Sequence, residues 1–501
     1  MKVKQIILLT ISGTLFRLVF AWQSHIWNMA HDQIVWSLSL QDMVSNSDFD
    51  YKHLIHYPYE GGTVPISLLA LLFIPFLSFV KSLSAAALVC DTLIRYLQIR
   101  IAERIFGATT AFWFACWTIL AVPEMLPWGT SFFGLHYVNS IVLFLFLYAC
   151  VRQESKLTRP VRLALVAGLG IVFSYHNIIL LPAYLIWLLM QESTLRQKAR
   201  DYMLFLLTML PILALHGLVR VFADPGFHLE ELALISPRDE SWRESFQHGF
   251  VNFVSAWYQA LPASFLVSAG NLMSSSAQRW LVFAFLVAAL AVLFLNRDKN
   301  PGTLLAGLII LFFMASYAFS IFFTDRIDVK TFYLYRHFSY VIPLIVLLAL
   351  HVYKNIPGIH AFMRGGFILF CGFFSVLYTL QFNRIPEPEY KIAGWILARK
   401  YGDDVSMLNR IRSVAPEKHH NELSYGYGWG MAAHLLRDKT EQDTTAVTTL
   451  CRLYRQFPEA QKPLVEEGIR FAFLDWVTPT LEPQLLNKFE ACKDKPQHQT
   501  N

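Results

Sequence analysis

Apolar runs long enough to cross a bilayer recur along most of this chain, and they limit its fold more than any other feature. They fall near residues 5–22, 64–80, 83–105, 108–123, 135–151, 161–174, 176–191, 202–222, 279–296, 302–323, 337–353 and 361–381. A spanning helix needs about 20 mostly apolar residues. The chain is 55% hydrophobic and only 16% charged, where a soluble domain carries about 25% charged residues. The runs lack the alternating ten-residue strands of a membrane barrel. The sequence therefore predicts a polytopic α-helical membrane protein.

The first run follows a charged start, as in a signal peptide. It carries Arg17 and has no small-x-small cleavage site after Phe20, so it reads as a retained span. The net charge of +6 matters through its placement, because Lys and Arg collect in cytoplasmic loops. Cationic stretches occur at Lys2–Lys4, 151–162, 196–200, 296–300 and at Lys354 with Arg364. Placing all of these inside gives one threading, with about eleven spans and a cytoplasmic N-terminus. The segments 23–63, 223–278 and 324–336 and everything after 381 then face outward, with the tip Ser174–Asn177 of a short hairpin. The run 64–80, with Pro65 and Pro75, reads as a helix on the outer surface. The run 83–105 crosses, its Asp91 and Arg95 spaced to satisfy each other.

Residues 1–385 form the membrane domain in this reading, with 23–80 as the first outer region and 223–278 as the second. The stretch 386–501 changes character. EYKIAGWILARKYG reads as a helix with a Gly stop, whereas VSMLN and IRFAFLDWV read as strands. The expectation is a small extracytoplasmic α/β domain. Cys90, Cys116, Cys150 and Cys371 lie in apolar runs, as packing residues. Cys451 and Cys492 lie in the polar tail, where a disulfide and two free thiols are both open.

Three outward stretches hold the candidate chemistry. The first, HDQIVWSLSLQDMVSNSDFDYKHLIHYPYEGG, begins with His31 and Asp32. Asp32 opens a helix predicted to run to Val44. It is either a helix cap or an ionised carboxylate at the lipid headgroup level. Asp48 and Asp50 form a D-x-D, read either as a divalent-metal pair or as a hydrated acidic loop. His53, His56 and Tyr57 follow, without metal-site spacing. The second stretch, 123–139, carries Glu124 and His136 among aromatic residues. The third, 326–343, gathers Arg326, Lys330, Arg336 and His337, either as span anchors or as a phosphate-binding cluster.

The order of these features resembles the GT-C superfamily of integral membrane glycosyltransferases. The nearest branch is that of protein mannosyltransferases and the aminoarabinose transferase of lipid A. The resemblance rests on an outer loop opening with Asp, then H-Y-P and Gly-Gly, a charged span ending RIFG, a late span beginning R-H-F-S-Y-V-I-P, and an outer tail. The family's first-loop acid is usually half of an Asp-Glu pair, and here the pair is Asp32-Gln33.

The resemblance implies an inverting sugar transfer from a polyprenyl-phosphate donor at the extracytoplasmic face. Asp32 would be the general base, and Arg336 with Arg326 or Lys330 would bind the leaving phosphate. His31, His53, His56, Tyr57, Glu124 and His136 would contact donor or acceptor. The implied partners are a lipid-linked sugar, a lipid, glycan or protein acceptor, and membrane lipids, with no nucleic acid. A divalent cation (Mg or Mn) is the one cofactor in view, at Asp48 and Asp50. No Walker-type or dinucleotide loop is present. A bacterial inner membrane is the expected location, and an ER membrane the second. Two other readings stand beside this one: a lipid or polysaccharide transporter or flippase, and a non-catalytic scaffold of GT-C shape.

Overall fold

The computed structural model describes residues 1–24, 36–38, 40–41, 43–44, 63–120, 126, 136–152, 158–223, 301–318, 338–354, 360–381, 390–401, 404–415, 417–436, 444–476 and 482–493. Among them there are helices and turns and no strand. The chain divides into two compact units. One comprises Met1–Ile26, Leu54–Leu69 and Ser84–Ile385, and the other Trp27–His53, Ala70–Leu83 and Pro386–Asn501.

The helices up to residue 381 are α1 Val3–Ser24, α2 Thr63–Leu71, α3 Phe79–Phe106, α4 Ala108–Leu120, α5 His136–Val151, α6 Thr158–Phe173, α7 Leu180–Leu189, α8 Leu195–Ala223, α9 Pro301–Ala318, α10 Ile342–Lys354 and α11 His360–Gln381. They follow the apolar runs closely. The run 279–296 lies outside the described residues. The run 64–80 is not one helix. It ends as a helix at Leu71 and continues as turns through Pro75, a residue that cannot donate to a helical ladder. Pro65 is tolerated because it sits in the first turn. Gly107, with φ +86°, ends α3 in the left-handed conformation that glycine adopts without strain. Its amide donates to Glu103 O at 3.0 Å, and α4 begins at the next residue.

Two described helical segments, Val3–Trp22 and Leu195–Val219, are long and apolar enough to cross a membrane unaided. The other apolar helices are shorter. The surface of α8 explains its setting: Met203, Leu207, Leu210, Leu215, Leu218 and Phe222 are all exposed, Phe222 at 80%. A helix that is apolar all round and presents large side chains outward belongs in lipid. α1 does the same with Leu8, Val19 and Trp22.

The tail corrects the sequence reading. It consists of α12 Tyr390–Tyr401, α13 Ser406–Val414, α14 His420–Leu436, α15 Thr444–Arg455, α16 Lys462–Trp476 and α17 Glu482–Lys493. Both predicted strands are helical: most of VSMLN lies in α13, and IRFAFLDW ends α16. Among its described residues the domain is α-helical rather than α/β. Gly468, just before IRFAFLDWV, does not turn the chain: it lies inside α16, where the backbone of α14 at Tyr425 comes so close that any Cβ would collide with it. On another face of α14, Gly426 meets the backbone of α12 at Lys391 in the same way. α14 is thus clamped between α12 and α16 at backbone-to-backbone distance.

The core of this unit includes Leu397, Leu408, Ile411, Tyr427, Leu450 and Phe473. Cys451 of α15 and Cys492 of α17 are joined by a disulfide, with Cα atoms 6.1 Å apart, inside the usual range.

Candidate functional site

Most of the sequence-predicted site residues lie outside the described residues. These are His31, Asp32, Asp48, Asp50, His53, His56, Tyr57, Glu124, Arg326, Lys330, Arg336 and His337. His136 is described as the first residue of α5. The structure defines the scaffold on which the flanks of the three candidate stretches are built.

The first piece of that scaffold is a buried ion cluster. Asp91 and Arg95 of α3 pair at 2.8 Å, as their i,i+4 spacing predicts. Arg17 of α1 joins them, with Nε 3.0 Å from the same Asp91 oxygen, Oδ2. All three side chains are at most 1% exposed. Arg95 Nη1 donates to Thr10 O at 3.0 Å and Nη2 to Thr14 Oγ1 at 2.7 Å. Arg17 Nη1 donates to Gly13 O at 3.1 Å and to Thr118 O at 3.0 Å. Thr118 lies in the last turn of α4, where helical carbonyls have no intrahelical donor. Arg17 therefore serves as a side-chain cap for α4, just before the candidate stretch 123–139. Its sequence signal was a lone Arg within an apolar span, but nothing local named its partners.

The second piece is a hydrogen-bonded polar network. Asn177, at the hairpin tip, donates from Nδ2 to Asn139 Oδ1 at 2.6 Å and to Gly170 O at 2.7 Å. Tyr340 donates to Asn177 Oδ1 at 2.6 Å. Ser174, Asn177, Asn139 and Tyr340 are fully buried. Ser174 has φ −155° and ψ 131°, an extended residue that breaks α6 from the following 3-10 turn and turns Asn177 inward. Next to this core, Ser174 Oγ and His176 Nδ1 lie 3.2 Å apart, and Tyr175 Oη and His216 Nε2 lie 3.2 Å apart. Asn139 closes the second candidate stretch, three residues after His136. Tyr340 lies in the third, four residues after Arg336. The network thus joins two of the three stretches through the hairpin tip. Sequence reasoning saw the tip only as a topological turn.

The first stretch is tied down elsewhere. Its helical residues Leu38, Leu40 and Met43 are buried, and Leu38 belongs to the core of the tail unit. The tail also carries a charged hub. Glu466 accepts from Tyr454 Oη at 2.9 Å and pairs with Arg470 at 2.8 Å and Lys493 at 2.6 Å. Burial pushes the Glu466 carboxyl up, but hydrogen bonds from Lys493, Arg470 and Tyr454 outweigh it and hold the group below the ordinary carboxylate value. Among the described residues no group of three His, Cys, Asp or Glu side chains could hold a metal ion.

Among the described residues the chain has two parts: a set of apolar helices up to residue 381, and a disulfide-bonded helical unit whose core takes in Leu38 of the first polar loop. No family model matches the chain, and no curated protein matches it. Among solved structures it is similar to ArnT from Cupriavidus metallidurans in the apo state. The identity is 16% over 93% of this chain and 88% of that one, with a TM-score of 0.44.

Proposed function

We propose that this chain is a membrane glycosyltransferase of the GT-C type, taking its sugar from a polyprenyl-phosphate donor at the extracytoplasmic face. The observation that carries the reading is the Asn139–Asn177–Tyr340 network. The sequence resemblance assigns the stretches ending in Asn139 and containing Tyr340 to the site, and these distant stretches share one buried hydrogen-bonded locus. A polar network of this kind holds its members in one arrangement, as a site that positions reactants requires. The tail disulfide supports the orientation, because such bonds persist in oxidising compartments. It favours an extracytoplasmic domain of 386–501 and a cytoplasmic N-terminus, and the location we propose is a bacterial inner membrane, with an ER membrane second.

In this mechanism Asp32 accepts the proton of the acceptor hydroxyl as that oxygen attacks the anomeric carbon. An ordinary Asp, with a pKa near about 4, is a weak base, so a close partner such as His31 would raise its effectiveness. The bond to the donor phosphate breaks, and the charge that develops there is taken up by Arg336 with Arg326 or Lys330. His53, His56, Tyr57, Glu124 and His136 contact the sugars. Asp48 and Asp50 would hold a Mg or Mn ion, whose charge would help neutralise the donor phosphate.

The test is transfer from purified protein in lipid, followed as release of polyprenyl phosphate. Asp32→Asn is expected to lower the rate by about 100-fold or more, within the range of general-base effects, with the fold intact. Undiminished transfer by that variant would remove Asp32 from the mechanism. Reporter fusions at the C-terminus are expected to report the non-cytoplasmic side, and a cytoplasmic tail would reverse the threading.

A further inference from the structure

We infer that the C-terminal helical domain is the platform that positions the Asp32 loop, and that Leu38 is the positioning residue through which it acts. The catalytic part of this inference rests on the proposed transferase reading; the docking itself does not.

Leu38 has no exposed surface, and among the described residues it is the one first-loop member of a core otherwise made by residues 390–489. The side chains of Gln41 and Ser413 meet on the same contact, with Nε2 and Oγ 3.4 Å apart. Leu40 and Met43 are also buried. A segment more than 340 residues away in sequence therefore completes the hydrophobic core of the tail. Leu38 lies six residues beyond Asp32. Chain geometry limits their separation to about 20 Å even when fully extended. The carboxylate is thus leashed to whatever holds Leu38.

A surface loop bearing a catalytic group gains precision only from the rigid element it is anchored to. Here that element is stiffened by the Cys451–Cys492 bond and by backbone-to-backbone packing of α14 on α12 and α16. Small misplacements of a reacting group cost about 100-fold in rate. Loss of the Leu38 anchor therefore affects turnover more than donor binding.

The experiment uses the full-length protein in native membranes. Gln41→Cys and Ser413→Cys are combined and treated with a short bifunctional methanethiosulfonate, and the linked peptides are identified by mass spectrometry. Linkage is expected in the pair and not in either single variant; if both cysteines label separately but never link, the docking is wrong. Leu38→Ser is expected to speed limited proteolysis within 23–62 and to lower kcat by about 10- to 100-fold, with the donor KM within about twofold. Leu38→Met, which keeps volume and apolarity, is expected to retain both. A Leu38→Ser protein with normal kcat and unchanged proteolysis overturns the inference. Linkage and faster proteolysis in a protein whose Asp32→Asn variant still transfers sugar would leave the docking standing and remove only its catalytic meaning.

Discussion

Arg17 and Asp91, 74 residues apart in sequence, face each other at 3.0 Å in an interior where neither is more than 1% exposed. With Arg95 they place two guanidinium groups on one carboxylate. Such an arrangement depends on hydrogen bonds to the remaining polar atoms. The carbonyls of Thr10, Gly13 and Thr118 meet part of that need, while Arg17 Nη2 and Asp91 Oδ1 have no hydrogen-bond partner among the described residues. Asp91→Asn leaves both cations without a counter-charge. It is expected to lower stability by about 3–5 kcal/mol, read as a lower Tm in detergent. The combined replacement Arg17→Met, Asp91→Leu, Arg95→Met is expected to recover much of that loss, since apolar substitution of a whole buried cluster is often neutral.

The backbone contacts of α14 make glycine necessary at two positions. Gly426→Ala and Gly468→Ala each put a Cβ into a neighbouring helix backbone that cannot yield as a side chain would. Each is expected to destabilise the tail by about 1–3 kcal/mol. Gly217→Ala on α8, where a Cβ meets nothing, is the control and is expected to be neutral or slightly stabilising. Chemical denaturation followed by tryptophan fluorescence distinguishes them.

The Cys451–Cys492 bond closes a loop with a sequence separation of 41. Chain entropy gives such a bond about 4 kcal/mol. Cys451→Ser with Cys492→Ser is expected to lower the unfolding midpoint of the tail. Adding reductant is expected to have the same effect on the native protein and none on the variant.

The Glu466 hub sets a pH dependence. Its carboxyl lies below the ordinary value in the folded protein, so its contribution is present above the unfolded value of about 4.3 and is lost as pH falls through the folded value. The Lys493 ammonium is pulled down by burial but raised further by hydrogen bonds to Glu466 and Glu490. Its contribution is present below about 10.4 and is lost as pH rises through the folded value. Tail stability is therefore expected to be flat through neutrality and to fall at both extremes. Glu466→Gln is expected to flatten the acid limb in thermal scans taken between pH 3 and 6.

The apolar runs and their helical ends were legible because they depend on local chemistry. The hydrocarbon run of α1, the end of the charged span at RIFG and the i,i+4 pair Asp91–Arg95 all act within a few residues, whereas the break of the run 64–80 before Pro75 runs against the single helix that its apolar character predicts. What only the tertiary structure decided lies between segments. IRFAFLDW is apolar enough for a buried strand or a buried helix, and the approach of Tyr425 to Gly468 selects the helix. Arg17 finds Asp91, and Tyr340 finds Asn177, because helices remote in sequence bring them together. Cys451 and Cys492 could have stayed apart until α15 and α17 brought them within bonding distance. Period and polarity state which face of a segment must be hidden; they do not say what hides it, because burial is non-directional and any complementary surface suffices. Leu38 shows this most plainly: nothing in its own polar loop names a partner, and only the folded chain made the C-terminal core that partner.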